Sequence, residues 1–175
     1  MYKLHNHTKV VVSMLFRVTL SILILFFLAG CQEDKNTIKT STVLTLFSEI
    51  KELYLAGNVD AMMDYYTDEI IVVANMTRET SIKGVKTNIS LKFSKEKYKA
   101  LIESVTTKAS GHTYTISNLN ITTEKGLNRA FASYDASEKM SLDDEIMETK
   151  SFVEISLIKT KNGKLLISGM TVTEV

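Results

Sequence analysis

The chain has 175 residues, and its 21 lysines and arginines nearly balance its 20 aspartates and glutamates, which excludes the basic surface that nucleic acid requires. A single cysteine excludes an internal disulfide framework, so stability must come from packing. Tryptophan and proline are both absent, which leaves strands free to run long and loops without rigid corners.

Lys3, Lys9 and Arg17 make a basic leader, Val18 to Leu28 is uncharged and apolar, and Leu28-Ala29-Gly30-Cys31 closes the run. A positive start, a short greasy segment and small residues before a cut predict a secretory signal. The run falls short of the roughly 20 apolar residues that a spanning helix needs. The remaining alternative is an uncleaved anchor that also inserts Val10–Phe16 and lets Arg17 snorkel. The ending resembles the signals of bacterial lipoproteins, with Leu28 to Cys31 as the lipobox. That resemblance implies cleavage between Gly30 and Cys31, a diacylglyceryl thioether on Cys31 and acylation of its new amino group. One acyl chain anchors a protein marginally and two or three anchor it stably. The expected location is therefore the cell envelope, lipid-anchored. Gln32, where an aspartate would favour inner-membrane retention, points to the outer membrane facing the periplasm in a Gram-negative host.

Removing residues 1–30 leaves 145, one domain's worth. The three leader cations go with them, leaving 18 basic residues against 20 acidic ones. No polybasic patch remains for a second membrane contact. The expected organisation is a signal peptide over 1–30, a flexible polar tether over 31–42 and a folded domain over 43–175.

Val43, Leu46, Phe47, Ile50, Leu53 and Tyr54 recur at helical spacing, and Gly57 is placed to end that helix. Asn58 or Asp60 can cap a second, short helix running through Tyr66. Asp68–Asn75 reads as a strand, apolar on both faces and so expected to be covered on both. A weak strand is expected near Thr80–Lys83, before a turn at Gly84. Ser94 looks like the cap of a third helix bearing Tyr98, Leu101, Ile102 and Val105 on one face, closed by Gly111. His112–Thr123, Asn128–Met140, Glu148–Thr160 and Lys164–Glu174 then read as four strands. Lys125-Gly126 and Asn162-Gly163 supply tight turns, and Ser141–Met147 a longer acidic loop. The layout is α+β, with helices gathered on one face of a bent antiparallel sheet.

With the elements in order, the chain from about Thr42 onward resembles the nuclear transport factor 2-like superfamily, especially its ketosteroid-isomerase-like and SnoaL-like members. The carrying stretches are Gly57-Asn58-Val59-Asp60-Ala61 into Tyr65-Tyr66-Thr67-Asp68-Glu69, then Phe93-Ser94-Lys95-Glu96-Lys97-Tyr98. Asn128-Arg129-Ala130-Phe131-Ala132 and Lys161-Asn162-Gly163-Lys164-Leu165-Leu166-Ile167 complete the set. The resemblance implies a cone-shaped fold, three helices packed on a curved antiparallel sheet around a pocket, and a homodimer through the sheet. Isomerase-like members carry a carboxylate base on an early strand, whereas the matching Ile70-Ile71-Val72-Val73 is aliphatic.

Alternation places Ala130, Ala132, Tyr134 and Ala136 on one face, where three small residues leave room beside the sheet. Phe152, Glu154, Ser156 and Ile158 share a face of the next strand. If that face is the inner one, Glu154 is a carboxylate among apolar neighbours, with Tyr65, Tyr114 and Tyr134 as candidate pocket partners. If Val153, Ile155 and Leu157 face the core instead, Glu154 lies outside in water. His112, without a second ligand nearby, reads as a surface residue rather than a metal site. Asp143, Asp144, Glu145 and Glu148 lack the ligand spacing of a calcium loop. No metal, cofactor or nucleic-acid partner is expected. The leading reading is an envelope lipoprotein that binds a small apolar ligand or a partner protein without chemistry. The alternatives are an isomerase or dehydratase using Glu154 with Tyr134, and a structural, sheet-mediated dimer.

Overall fold

The computed structural model describes residues 37–79, 84–124, 126–142 and 145–175. The leader, the lipobox with Cys31, half of the expected tether, the strand expected at Thr80–Lys83, and Lys125, Asp143 and Asp144 lie outside the described residues.

Helix α1 (Thr40–Leu55) buries Val43, Leu46 and Phe47, the stripe its periodicity marks. Its end is fixed by backbone chemistry. Asn58 N donates to Leu53 O at 2.9 Å and Gly57 N to Tyr54 O at 3.0 Å, a paired closure that Gly57 permits with φ +67°. Ile38 is already buried at 3% exposure, so the fold begins before the tether was expected to end at residue 42.

Helix α2 (Val59–Met63) follows at once, and the side chain of Asn58 accepts from Ala61 N to cap it. It stops at Met63 and not at Tyr66, which is the first residue of strand β1 (Tyr66–Glu79). The sheet continues with β2 (Lys86–Phe93), β3 (Ala109–Thr123), β4 (Arg129–Leu142), β5 (Glu145–Lys159) and β6 (Leu165–Glu174). Helix α3 (Lys95–Lys108) lies between β2 and β3. Strand order across the sheet is β2-β1-β6-β5-β4-β3, and every neighbouring pair is antiparallel except β1 with β6. The three helices pack on one face: α1 against β3, α3 against β1, and α2 against both helices.

Several expectations are corrected. β1 is covered on one side only, because Ile70 and Val72 are buried while Ile71 is 49% exposed. β2 escapes a periodicity reading because nearly all of it is exposed, and only Phe93 turns inward. The acidic loop is shorter than expected: Ser141 and Leu142 still pair with Ile146 and Glu145, so strand structure runs almost to the hairpin tip.

Gly111 does not close α3, which ends at Lys108. It sits inside β3 with φ +59°. Ser110 pairs with Ser141 and Thr113 with Lys139, so Gly111 and His112 together oppose the single Met140. This is a bulge whose left-handed first residue suits glycine. The pattern repeats seven residues on, where Asn118 (φ +52°) and Leu119 oppose Tyr134. The two bulges bend β3 and curve the sheet toward the helices.

Candidate ligand cavity

The curvature leaves a cavity of about 240 Å3 between α1, α3 and the inner face of the sheet. Ala74 on β1 and Ala136 on β4 line it, and their short side chains are what keep the space open. Phe47, Met62, Ile102, Val72, Val153 and Ile167 close it with apolar surface. Solvent is met at one end, where Leu101 is 42% exposed and Lys51, Glu138 and Ser151 are half-buried.

Five tyrosines line the same space: Tyr54 from α1, Tyr66 from the start of β1, Tyr98 from α3, Tyr114 from β3 and Tyr134 from β4. Their rings meet edge-on or tilted, Tyr54 to Tyr114 at 5.8 Å and Tyr66 to Tyr98 at 5.9 Å between centroids. Burial, the first cause in each case, pushes all five phenols above their ordinary range. At Tyr54 the charge of Glu138 adds to it. Each tyrosine therefore keeps its proton and can act as a donor.

Glu138 is the carboxylate on the same wall. Its Oε1 takes Tyr54 Oη at 2.5 Å and His112 Nε2 at 2.6 Å. The Tyr54 ring stands edge-on to the imidazole, 4.7 Å between centroids. The bulge at Gly111 is what sets His112 on the inner face within reach of Glu138, and the imidazole is only 9% exposed. His112 is therefore a packed, partnered residue and not the surface residue it was expected to be. Among the described residues no group of three or more histidines, cysteines and acids is arranged to hold a metal.

The structure divides the expected pocket residues. Tyr114 and Tyr134 line the cavity, with their hydroxyls 3.4 Å apart. Tyr65 does not, because the chain leaves α2 at Met63 and turns Tyr66 inward instead. Tyr65 Oη donates outward to Glu49 Oε2 at 3.1 Å, and Lys164 Nζ lies 5.6 Å from its ring centroid. Glu154 is also outside. Val153, Ile155 and Leu157 take the inner positions of β5 at 1–4% exposure, so Glu154 is exposed on the opposite face, paired in register with Ser133 and Thr171. An enzyme pairing Glu154 with Tyr134 is ruled out by that geometry, since the two side chains point to opposite faces of the sheet. The alternation that placed Ala130, Ala132, Tyr134 and Ala136 together holds: all four are buried at 0–6%. Carried one step further it reaches Glu138, the carboxylate the sequence reading passed over.

No family model and no curated protein sequence matches the chain, but solved structures do. A nuclear transport factor 2-like protein from Cytophaga hutchinsonii aligns at TM-score 0.61 and 11% identity, over 79% of this chain and 99% of that one. A ketosteroid isomerase-like protein from Erwinia carotovora atroseptica aligns at 0.55 and 10%, over 77% and 95%. The β subunit of the benzoate 1,2-dioxygenase from Burkholderia mallei aligns at 0.57 and 12%, over 79% and 92%. At such identities the likeness is one of fold, and the chain has the nuclear transport factor 2-like fold.

Proposed function

We propose that this chain is a lipid-anchored cell-envelope protein whose domain holds a small, mainly apolar molecule in the tyrosine-lined cavity without converting it. The observation that carries the binding reading is the cavity itself: apolar walls, and polar groups converging on Glu138 at one end. Its volume of about 240 Å3 lies below the roughly 300–1,000 Å3 of drug-sized pockets. The occupant is accordingly small, on the scale of a ring with a short side chain. The absence of chemistry is supported by the aliphatic Ile70–Val73, where a catalytic relative would carry its base on an early strand.

Native mass spectrometry of the protein purified from its host tests the binding reading. A co-purified small molecule is expected in the wild type and not in Ala136→Leu, which fills the cavity from one wall. Labelled palmitate tests the anchor. It should enter the wild type and not Cys31→Ala, and the variant should leave the membrane fraction.

A second reading, a homodimer through the sheet, is favoured by the outer face, where Ile71, Phe131 and Phe152 are 38–49% exposed. Sedimentation equilibrium would show a dimer that Phe131→Glu dissociates, whereas an unaltered monomer in both proteins discards this reading.

A further inference from the structure

The polar end of the cavity is chemically lopsided, and that asymmetry selects among occupants. Among the described residues Glu138 is the one acid on the wall, and the hydroxyls of Tyr54 and Tyr114 are donors that keep their protons. Both donors that reach Glu138, Tyr54 and His112, are spent on Oε1. Oε2 receives no hydrogen bond from the described residues, although a carboxylate has room for about four. The carboxylate is 20% exposed, and the His112 imidazole is the side chain set against its Oε1 at 2.6 Å. Among the described residues Lys51 is the other charged side chain on the wall, and no ion pair joins it to Glu138.

The remaining walls are rich in π-electrons. Five tyrosines with Phe47 and Phe93 border a space of about 240 Å3. Aromatic surface attracts cations, most strongly where water is excluded. A carboxylate with an open oxygen in such surroundings gains from an arriving positive charge and repels a negative one.

We propose that the cavity selects a small organic ammonium, with an apolar body lying among the aromatic side chains and a protonated amine seated on Oε2 of Glu138. This rests on the reading of the cavity as a binding site and names the ligand's charge class. Alcohols of the same shape fit the walls but bring one neutral donor. Carboxylic acids set two like charges side by side.

The test is calorimetric titration of the full chain in a non-ionic detergent with three nearly isosteric probes: 2-phenylethylammonium, 2-phenylethanol and phenylacetate. The ammonium should bind at least about tenfold tighter than the alcohol, and phenylacetate weaker than either. Glu138→Gln keeps an acceptor for Tyr54 and His112. It should weaken the ammonium about tenfold while moving the alcohol less than about threefold. Ala136→Leu should weaken all three probes. If the probes bind the wild type and lose affinity in Ala136→Leu without a preference for the ammonium, the charge selection is wrong and the cavity reading survives. If no probe binds the wild type, or Ala136→Leu binds all three as well, both fall together. Should Glu138→Gln fail to fold by circular dichroism, the wild-type ranking and Ala136→Leu still decide.

Discussion

His112 and Glu138 lie on adjacent strands out of register, and a bulge brings them together. Tyr114, two residues after His112, is the direct ladder partner of Glu138, yet the imidazole Nε2 reaches the carboxylate at 2.6 Å. The contact depends on Gly111, whose φ of +59° turns the strand before the histidine.

Gly111→Ala should therefore destabilise the domain although a Cβ there meets open space. The cost is backbone strain of about 1–2 kcal/mol, since L-residues other than glycine rarely adopt this conformation. Gly111→Asn should cost less, because asparagine tolerates it better. Urea denaturation would show the midpoint fall with an unchanged slope.

Tyr54→Phe removes one of the two donors to Glu138 and leaves the ring packing intact. A hydrogen bond to a carboxylate that is only 20% exposed is worth about 1–2 kcal/mol. The same denaturation measurement checks it, and an unchanged midpoint would mean that water replaces the hydroxyl without loss.

Alkaline stability follows from the tyrosines. Tyr54, Tyr66, Tyr98, Tyr114 and Tyr134 all have folded pKa values above the unfolded one, first because they are buried. Above a pH of about 10 the unfolded chain loses these protons while the folded chain keeps them. Unfolding then releases protons, so stability is complete below that pH and declines as pH rises further. Followed by tyrosinate absorbance, the cavity tyrosines should ionise together with unfolding. A graded titration of all five in the folded protein would mean that the cavity is open to water.

The two faces of β5 should respond in opposite ways. Ile155→Ala removes a side chain that is 4% exposed and should cost about 2–5 kcal/mol. Glu154→Ala, one residue away on the exposed face, should stay within about 0.5 kcal/mol. Thermal unfolding of the two variants side by side checks the register, and a reversed ranking would place the carboxylate inside.

These contrasts show what the sequence could and could not convey. Helix α1 was legible because Val43, Leu46 and Phe47 repeat with the helical period and Gly57 stops it. The hairpin before β6 was legible from Asn162-Gly163, with Gly163 at φ +83°. β4 was legible from strict alternation. β5 was ambiguous because Phe152 and Ile158 lend apolar character to the outer set, so either face could have been the buried one. β2 gave no periodic signal, because an exposed edge strand has no buried face to record. The His112–Glu138 pair was hidden for a different reason. It depends on a two-against-one mismatch between strands whose register no local pattern reveals.

The bulges in β3 also govern how the molecule meets its neighbours. Among the described residues β3 is the last strand on its side of the sheet, so one row of its backbone amides and carbonyls has no described strand beside it. The left-handed residues Gly111 and Asn118 break that row, and the longest regular stretch between them is Thr113–Ser117. A stray extended peptide trying to zip on would find its template bent away after about one turn of pleat in each direction. The kinks that aim a histidine inward thus also make this border a poor seed for aggregation.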